Sequence, residues 1–260
     1  MLEVIEKRPS NESGKAPVLF VHGAWHGAWC WDEHFLDFFA DKGYRSLALS
    51  LRGHGNSPAP KRMQFCSMAD LVDDVDSVAR SLPRPPIVIG HSMGGFVVQK
   101  YLESHDAPAA VLLAPVPVRG VAGFLLRRFR RHPWLTATEL AKTKSLRSIG
   151  ATPELARESF FSELTPDADL ARYTAQLGEE NLGKHVLDML FLNLPRPSRI
   201  TTPLLVIGAE RDGCFTQREV RATARAYRVE AELFPKMGHD MMLEPGWEAV
   251  ARRIHEWLET

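Results

Sequence analysis

The chain has 260 residues, of which 45% are hydrophobic, so it can bury a large core and fits one domain that carries an insertion. Basic and acidic residues both number 32, which leaves no overall charge to draw the chain to nucleic acid or to an acidic membrane. Three widely separated cysteines give neither a disulfide framework nor metal-ligand spacing, and the chain begins without the apolar core of a signal peptide. We therefore expect a cytoplasmic protein without a metal or a stable membrane insertion.

Short apolar runs that end at turn residues predict strands buried on both faces of a parallel sheet. Such runs occupy residues 18–21, 87–90, 109–114 and 204–208, and two further strands are predicted at 45–51 and 231–234. Helical spacing follows most of them, at residues 31–41, 67–82, 95–102, 217–227 and 247–258. This alternation predicts an α/β fold with a mostly parallel central sheet flanked by helices.

The alternation is interrupted after about residue 116. Amphipathic spacing recurs at residues 159–164, 169–177 and 186–194, and no strand pattern is strong there. We expect a helical cap at residues 117–199, inserted into a core formed by residues 1–116 and 200–260.

The pattern G-x-S-x-G lies between a predicted strand and a predicted helix, as Gly90-His91-Ser92-Met93-Gly94. In that setting the pattern is typical of a nucleophile elbow, a strained turn from which a serine hydroxyl projects. Ser92 is therefore the candidate nucleophile.

Two partners for Ser92 follow later strands, since Asp212 comes after the run at 204–208 and His239 after the run at 231–234. The carboxyl ends of parallel strands meet at one edge of a sheet, so the three side chains can converge. A neutral imidazole can take the serine proton, and a carboxylate can hold the imidazole tautomer. Glu210 and Asp240 are the alternative acids, although Asp240 adjoins His239 along the backbone.

An oxyanion needs hydrogen-bond donors, and the N–H groups of Met93 and Ala24 are the candidates. His22 and His54 are expected to bond the loop backbone nearby. The predicted substrate pocket is lined by Gly23, Trp25, His91, Phe124 and Trp134.

These motifs resemble those of the α/β-hydrolase superfamily. The segment VHGAWHGAWCW at 21–31 is similar to that of the plant methylesterase and hydroxynitrile lyase family and its bacterial relatives, and the segments at 52–57, 90–95, 208–212 and 237–239 match further superfamily loops. The resemblance implies the Ser92, His239 and Asp212 triad. Hydroxynitrile lyases carry a lysine after the histidine, where this chain has Asp240, so the resemblance does not favour a lyase.

The function that these residues predict is hydrolysis of a carboxylic ester, or a related acyl bond, in a small and largely apolar substrate, through an acyl-enzyme and without a cofactor. Carbon–carbon bond hydrolysis, lactone or thioester hydrolysis and acyl transfer remain open on the same triad. A ligand receptor on this scaffold is the alternative outside enzymes.

Residues 119–147 contain eight lysines or arginines and one acid, Glu139. Apolar residues such as Phe124 and Phe129 are interleaved with the arginines, which is the pattern of a solvated helix packed over the active site. It also makes the segment a candidate for binding anionic substrates or touching a membrane surface. The oligomeric state is left open.

Overall fold

In the computed structural model, residues 1–11, 14–142 and 147–260 are described. They contain one seven-stranded sheet of order β1-β3-β2-β4-β5-β6-β7. The strands are β1 Val4–Lys7, β2 Val18–Val21, β3 Ser46–Leu49, β4 Ile87–His91, β5 Ala110–Leu113, β6 Leu204–Ala209 and β7 Ala231–Phe234.

Strands β2 to β7 pair in parallel, and β1 pairs antiparallel with β3. Every residue of β2, β3, β4, β5 and β6 is buried, as expected for strands covered by helices on both faces. The six predicted strands are confirmed, and with them the α/β fold.

The edge strand β1 is absent from the sequence prediction. It is short and partly exposed, and its two apolar residues are followed by two charged ones, which is not a strand pattern. Its position is supported by Glu6, which accepts hydrogen bonds from Arg45 across the β1–β3 pair. A contact between residues so far apart leaves no mark on the local pattern.

Eleven α-helices lie in the described ranges. They are α1 Trp29–Asp32, α2 Phe35–Asp41, α3 Met68–Ala79, α4 Met93–Tyr101, α5 Ala122–Arg131, α6 Pro133–Lys142, α7 Pro153–Phe160, α8 Asp167–Thr174, α9 Lys184–Leu187, α10 Gln217–Ala226 and α11 Trp247–Leu258. A π-helical turn, Asp188–Leu192, continues α9. None of these helices is long and apolar enough to cross a membrane.

Two helix predictions are corrected. The single helix predicted at 31–41 is divided into α1 and α2, with a break at His34, whose ring stacks on Trp247 with centroids 4.5 Å apart. The helix predicted at 159–164 is wrong because α7 ends at Phe160. There Ser162 turns away and donates both its N–H and its hydroxyl to the Glu244 carboxylate, each at 2.6 Å.

We call the chain between β5 and β6, residues 114–203, the intervening segment. Its described elements are all helical, and they include α8 and α9 close to the predicted positions. Within its basic stretch, Lys144 lies outside the described residues. Three of the described arginines stand within 4.0 Å of an acid, which reduces the positive charge of this surface. The pairs are Arg127 with Glu219, Arg128 with Glu139, and Arg131 with Glu158.

Candidate active site

Ser92 lies in the sharp turn between β4 and α4, with φ 52° and ψ −117°. Non-glycine residues rarely adopt a positive φ, so the turn is strained in the way a nucleophile elbow requires. Glycine is needed beside it because a Cβ on Gly94 would collide with the Val21 carbonyl oxygen, and one on Gly90 would collide with the Gly94 carbonyl oxygen. Close packing of β4, α4 and β2 therefore holds the serine in place.

Asp212 and His239 lie in the loops that follow β6 and β7, and they meet in the structure. The Nδ1–H of His239 donates to Asp212 Oδ2 at 2.8 Å, and both side chains are buried. The other carboxylate oxygen, Oδ1, accepts from the backbone N–H groups of Cys214 at 2.7 Å and Phe215 at 2.8 Å. Asp212 is thus fixed on both sides, whereas Glu210 on the same loop is exposed.

The His239 imidazole has a raised pKa. Burial favours the neutral ring and lowers the pKa, but the Asp212 charge and hydrogen bond, together with the Asp240 charge, outweigh it. The cationic ring that forms when His239 accepts a proton is therefore stabilised in place.

Asp240 contacts a different histidine. Its Oδ2 lies 2.9 Å from Nε2 of His26, and its Oδ1 lies 3.7 Å from Nε2 of His91. The Nδ1–H of His26 donates to the Ala24 carbonyl oxygen at 2.7 Å. Asp240 consequently ties the loop after β2 to the loop after β7, and it does not orient His239.

The N–H groups of Ala24 and Met93 are close to Ser92. Both residues are buried and line the same cavity as Ser92. Within residues 1–11, 14–142 and 147–260, neither N–H donates to a protein acceptor. Buried N–H groups normally have partners, so two such donors beside a serine are suited to receive an oxygen of a bound molecule.

The cavity at Ser92 has a volume of about 40 Å³. Its walls are almost wholly apolar apart from Ser92 and one carboxylate, Glu180. Most of the lining comes from the intervening segment and from the loop after β6; it comprises Ala24, Trp25, Ser92, Met93, Val116, Val121, Phe124, Leu125, Glu180, Val186, Met189, Cys214 and Phe215.

Two of the five predicted pocket residues, Trp25 and Phe124, line this cavity. The other three do not, and each has a physical reason. A Cβ on Gly23 would stand 2.9 Å from Ser92 Cβ, so Gly23 packs against the elbow itself. His91 is fully buried and donates from Nε2 to the His239 carbonyl oxygen at 3.1 Å, while Trp134 on α6 is 85% exposed on the surface.

His22 bonds the loop backbone as predicted. Its Nε2 accepts from the Leu51 N–H at 2.9 Å, and its Nδ1–H donates to the Gly23 carbonyl oxygen at 2.7 Å. Burial and the neighbouring His54 lower its pKa well below the ordinary value, which keeps the ring neutral.

His54 also bonds backbone, at the Arg52 carbonyl oxygen, but it has a second partner that the sequence does not reveal. Its Nε2–H donates to Glu180 at 3.0 Å, and the Nε2–H of His185 donates to the other oxygen of Glu180 at 2.9 Å. All three side chains are buried. Glu180 lies between the exposed residues Glu179 and Asn181, so no local signal in the sequence marks it.

Two groups of side chains could in principle hold a metal ion, His91 with His239 and Asp240, and Asp212 with Cys214 and His239. Asp212 and His239 are already bonded to each other. Burial and the nearby carboxylates raise the pKa of the Cys214 thiol well above its ordinary value, so it keeps its proton, and thiolate is the form that binds metals. The donor set is better suited to proton transfer than to a metal.

The part of the chain that contains Ser92, Asp212 and His239 is similar to a known protein family. The profile of the alpha/beta hydrolase family covers residues 18–253. The chain belongs to this family. The matched region contains strands β2 to β7, the elbow and both partner loops.

Individual relatives match over shorter stretches. A non-heme chloroperoxidase of Streptomyces lividans is 38% identical over 105 residues, covering 39% of this chain and 37% of that protein. "Probable esterase PIR7A" of Oryza sativa subsp. indica is 33% identical over 127 residues, covering 46% of this chain and 48% of that protein. The chain thus spans less than half the length of these curated relatives.

Solved alpha/beta hydrolase structures match over the whole chain. A monoacylglycerol lipase of Paleococcus ferrophilus has a TM-score of 0.74 at 23% identity, covering 99% of this chain and 98% of that one. The esterase EaEST of Exiguobacterium antarcticum has a TM-score of 0.74 at 16% identity, covering 100% and 96%. At these identities the similarity establishes the fold.

Proposed function

We propose that the protein is a serine hydrolase that cleaves a carboxylic ester of a small, largely apolar substrate. The observation that carries the proposal is the buried hydrogen bond between His239 and Asp212 at the strand ends beside the strained Ser92. Apolar walls around a single nucleophile favour an acyl group over a charged substrate.

In the proposed reaction, Ser92 Oγ attacks the ester carbonyl carbon while its proton passes to Nε2 of His239. The carbonyl oxygen becomes an oxyanion and accepts from the N–H groups of Ala24 and Met93, each worth about 3 kcal/mol in the transition state. Collapse of this intermediate breaks the ester bond, and the His239 proton goes to the departing alcohol oxygen. Asp212 stabilises the imidazolium throughout.

Water completes the cycle. His239 removes a proton from a water molecule, the resulting hydroxide attacks the acyl-enzyme, and the proton returns to Ser92 when the acid leaves. Every proton in this scheme is carried by His239, so the reaction balances without a cofactor.

We also propose that residues 117–199 form a cap over a core of residues 1–116 and 200–260. Support comes from the cavity, since Val121, Phe124 and Leu125 reach it from α5 and the turn before it. Ligand pockets are typically about 300–1,000 Å³, so the 40 Å³ cavity holds little more than water as it stands. Substrate entry therefore requires movement of these cap residues.

The proposal is tested with p-nitrophenyl esters of graded chain length and with a fluorophosphonate probe that labels activated serines. We expect ester turnover, labelling that peptide mass analysis places on Ser92, and a loss of at least about 10⁴-fold in kcat for Ser92→Ala. Turnover by Ser92→Ala at the wild-type rate would exclude this mechanism. Tight binding of an ester by a protein that neither turns it over nor is labelled would favour a receptor.

A further inference from the structure

Trp25, the residue directly after Ala24, has an unusual backbone. Its φ is 65°, in the left-handed region that a bulky side chain rarely enters. Such conformations persist only where the surrounding structure holds them. The peptide that carries the proposed oxyanion donor is therefore next to a strained residue that requires support.

Part of that support comes from the intervening segment. The N–H of Gly178 donates to the Trp25 carbonyl oxygen at 2.7 Å. The N–H of Trp25 donates to Glu180 Oε2 at 3.4 Å, a long bond whose acceptor is a carboxylate. Both polar backbone groups of Trp25 are thus bonded to a stretch of three residues located more than 150 positions further along the chain.

Glu180 itself is rigidly held in its ionised form. Burial would raise its pKa, but the charge on His54 and hydrogen bonds from His185 and His54 lower it below the ordinary range. Each histidine is fixed from behind, because the other ring nitrogen faces a backbone carbonyl oxygen, that of Arg52 at 3.2 Å or that of Cys66 at 3.3 Å. The carboxylate is a fixed acceptor that depends on His54 in the loop after β3 and on His185 in α9.

We propose that Glu180 is a positioning residue for the oxyanion hole: by holding Trp25 in its left-handed conformation, it aims the Ala24 N–H into the Ser92 cavity. This inference rests on the proposed function. Glu180 is not a catalytic base here, because both of its oxygens already accept from imidazole N–H groups. Its effect passes through Trp25 to Ala24.

The test is Glu180→Gln, which keeps the size of the side chain and removes its charge. The variant can still fold, because an amide N–H can donate to Nε2 of His185 while the ring keeps its Nδ1–H on the Cys66 carbonyl oxygen. Glu230→Gln is the matched control, since Glu230 is exposed, lies at the end of β7 opposite to the His239 loop, and undergoes the same chemical change. Activity is expressed per active site, as titrated with the fluorophosphonate.

We expect kcat of Glu180→Gln to fall about 10- to 100-fold with KM within about threefold, since small displacements of a transition-state donor act on kcat. The affinity of a boronic acid, which forms a tetrahedral adduct on Ser92, should fall by the same factor. Glu230→Gln should match the wild type in both measurements. An unchanged kcat and boronate affinity in Glu180→Gln would overturn the inference.

A second measurement does not depend on catalysis. Amide hydrogen exchange over residues 22–28 should become faster in Glu180→Gln than in the wild type and in Glu230→Gln, because the Trp25 backbone loses its charged partner. If the wild type hydrolyses no ester and reacts with no fluorophosphonate, the proposed function fails. In that case unchanged exchange would refute the support of Trp25 by Glu180, and faster exchange would uphold it.

Discussion

Replacement of Asp212 by asparagine is expected to abolish most of the activity through the wrong histidine tautomer. In the wild type, Asp212 Oδ1 accepts from two backbone N–H groups and Oδ2 accepts from Nδ1–H of His239. In Asp212→Asn the two backbone donors require the amide oxygen on their side. The amide N–H then points at Nδ1 of His239 and forces the ring proton onto Nε2.

A ring with its proton on Nε2 cannot accept the proton of Ser92. Loss of the correct tautomer with the geometry intact costs about 10⁴-fold in kcat, equivalent to about 5.5 kcal/mol of transition-state stabilisation. The assay is steady-state hydrolysis of a p-nitrophenyl ester, with thermal unfolding to show that the variant is folded.

Two further variants distinguish Asp212 from the other acids near the site. Glu210→Gln changes an exposed acid on the same loop and should leave kcat within about twofold. Asp240→Asn changes the acid that faces His26 and should cost less than Asp212→Asn. The reasoning would be refuted if folded Asp212→Asn retained more than a tenth of wild-type kcat, or if Glu210→Gln lost as much.

Three other results are expected. The proposed mechanism needs a neutral His239 to take the Ser92 proton, and the pKa of this ring is raised, so kcat/KM should fall with decreasing pH through a pKa above the ordinary 6.5. Asp240→Asn should move this fall to lower pH, because the Asp240 charge contributes to the raised pKa. A wild-type fall centred below pH 6.5 would contradict the assignment. Gly23→Ala should lower the free energy of unfolding in urea by about 1–3 kcal/mol and reduce kcat, because the new Cβ would stand 2.9 Å from Ser92 Cβ. In Gly246→Ala the new Cβ would have contacts of 3.5 Å or more, so this control should keep the wild-type free energy of unfolding and kcat. Ellman's reagent at pH 8 should react slowly with the native protein, because its three cysteines, Cys30, Cys66 and Cys214, are buried and have raised pKa values. After denaturation the reagent should titrate all three thiols. Fast reaction of the native protein would be evidence against this burial.

The sequence predicts the features that local pattern controls. A strand buried on both faces must be continuously apolar, and the run at 18–21 reproduces β2 residue for residue. Part of the elbow is equally local, because Gly90 is demanded by a backbone contact with Gly94 within the same turn. The placement of Asp212 and His239 follows from strand ends, which is why the sequence predicts that they meet.

Features that depend on contacts between distant residues are beyond the local pattern. Trp134 is aromatic, as many pocket residues are, yet α6 places its side chain on the surface. Glu180 looks like one of many surface acids, and its role is set by His54, 126 residues earlier in the chain. Asp240 pairs with His26 across 214 residues, so its partner is set by tertiary packing alone.

The hydrogen bonds from residues 178 and 180 to Trp25 have a consequence for protein engineering. Substrate range in a fold of this type is commonly altered by exchanging the segment inserted between two strands while the sheet is retained. Here such a chimera would remove the bonds that hold Trp25, even if every residue of the core were kept. An exchange of this segment should therefore keep the backbone at position 178, Glu180 and His185, so that the loop beside Ser92 is not disturbed.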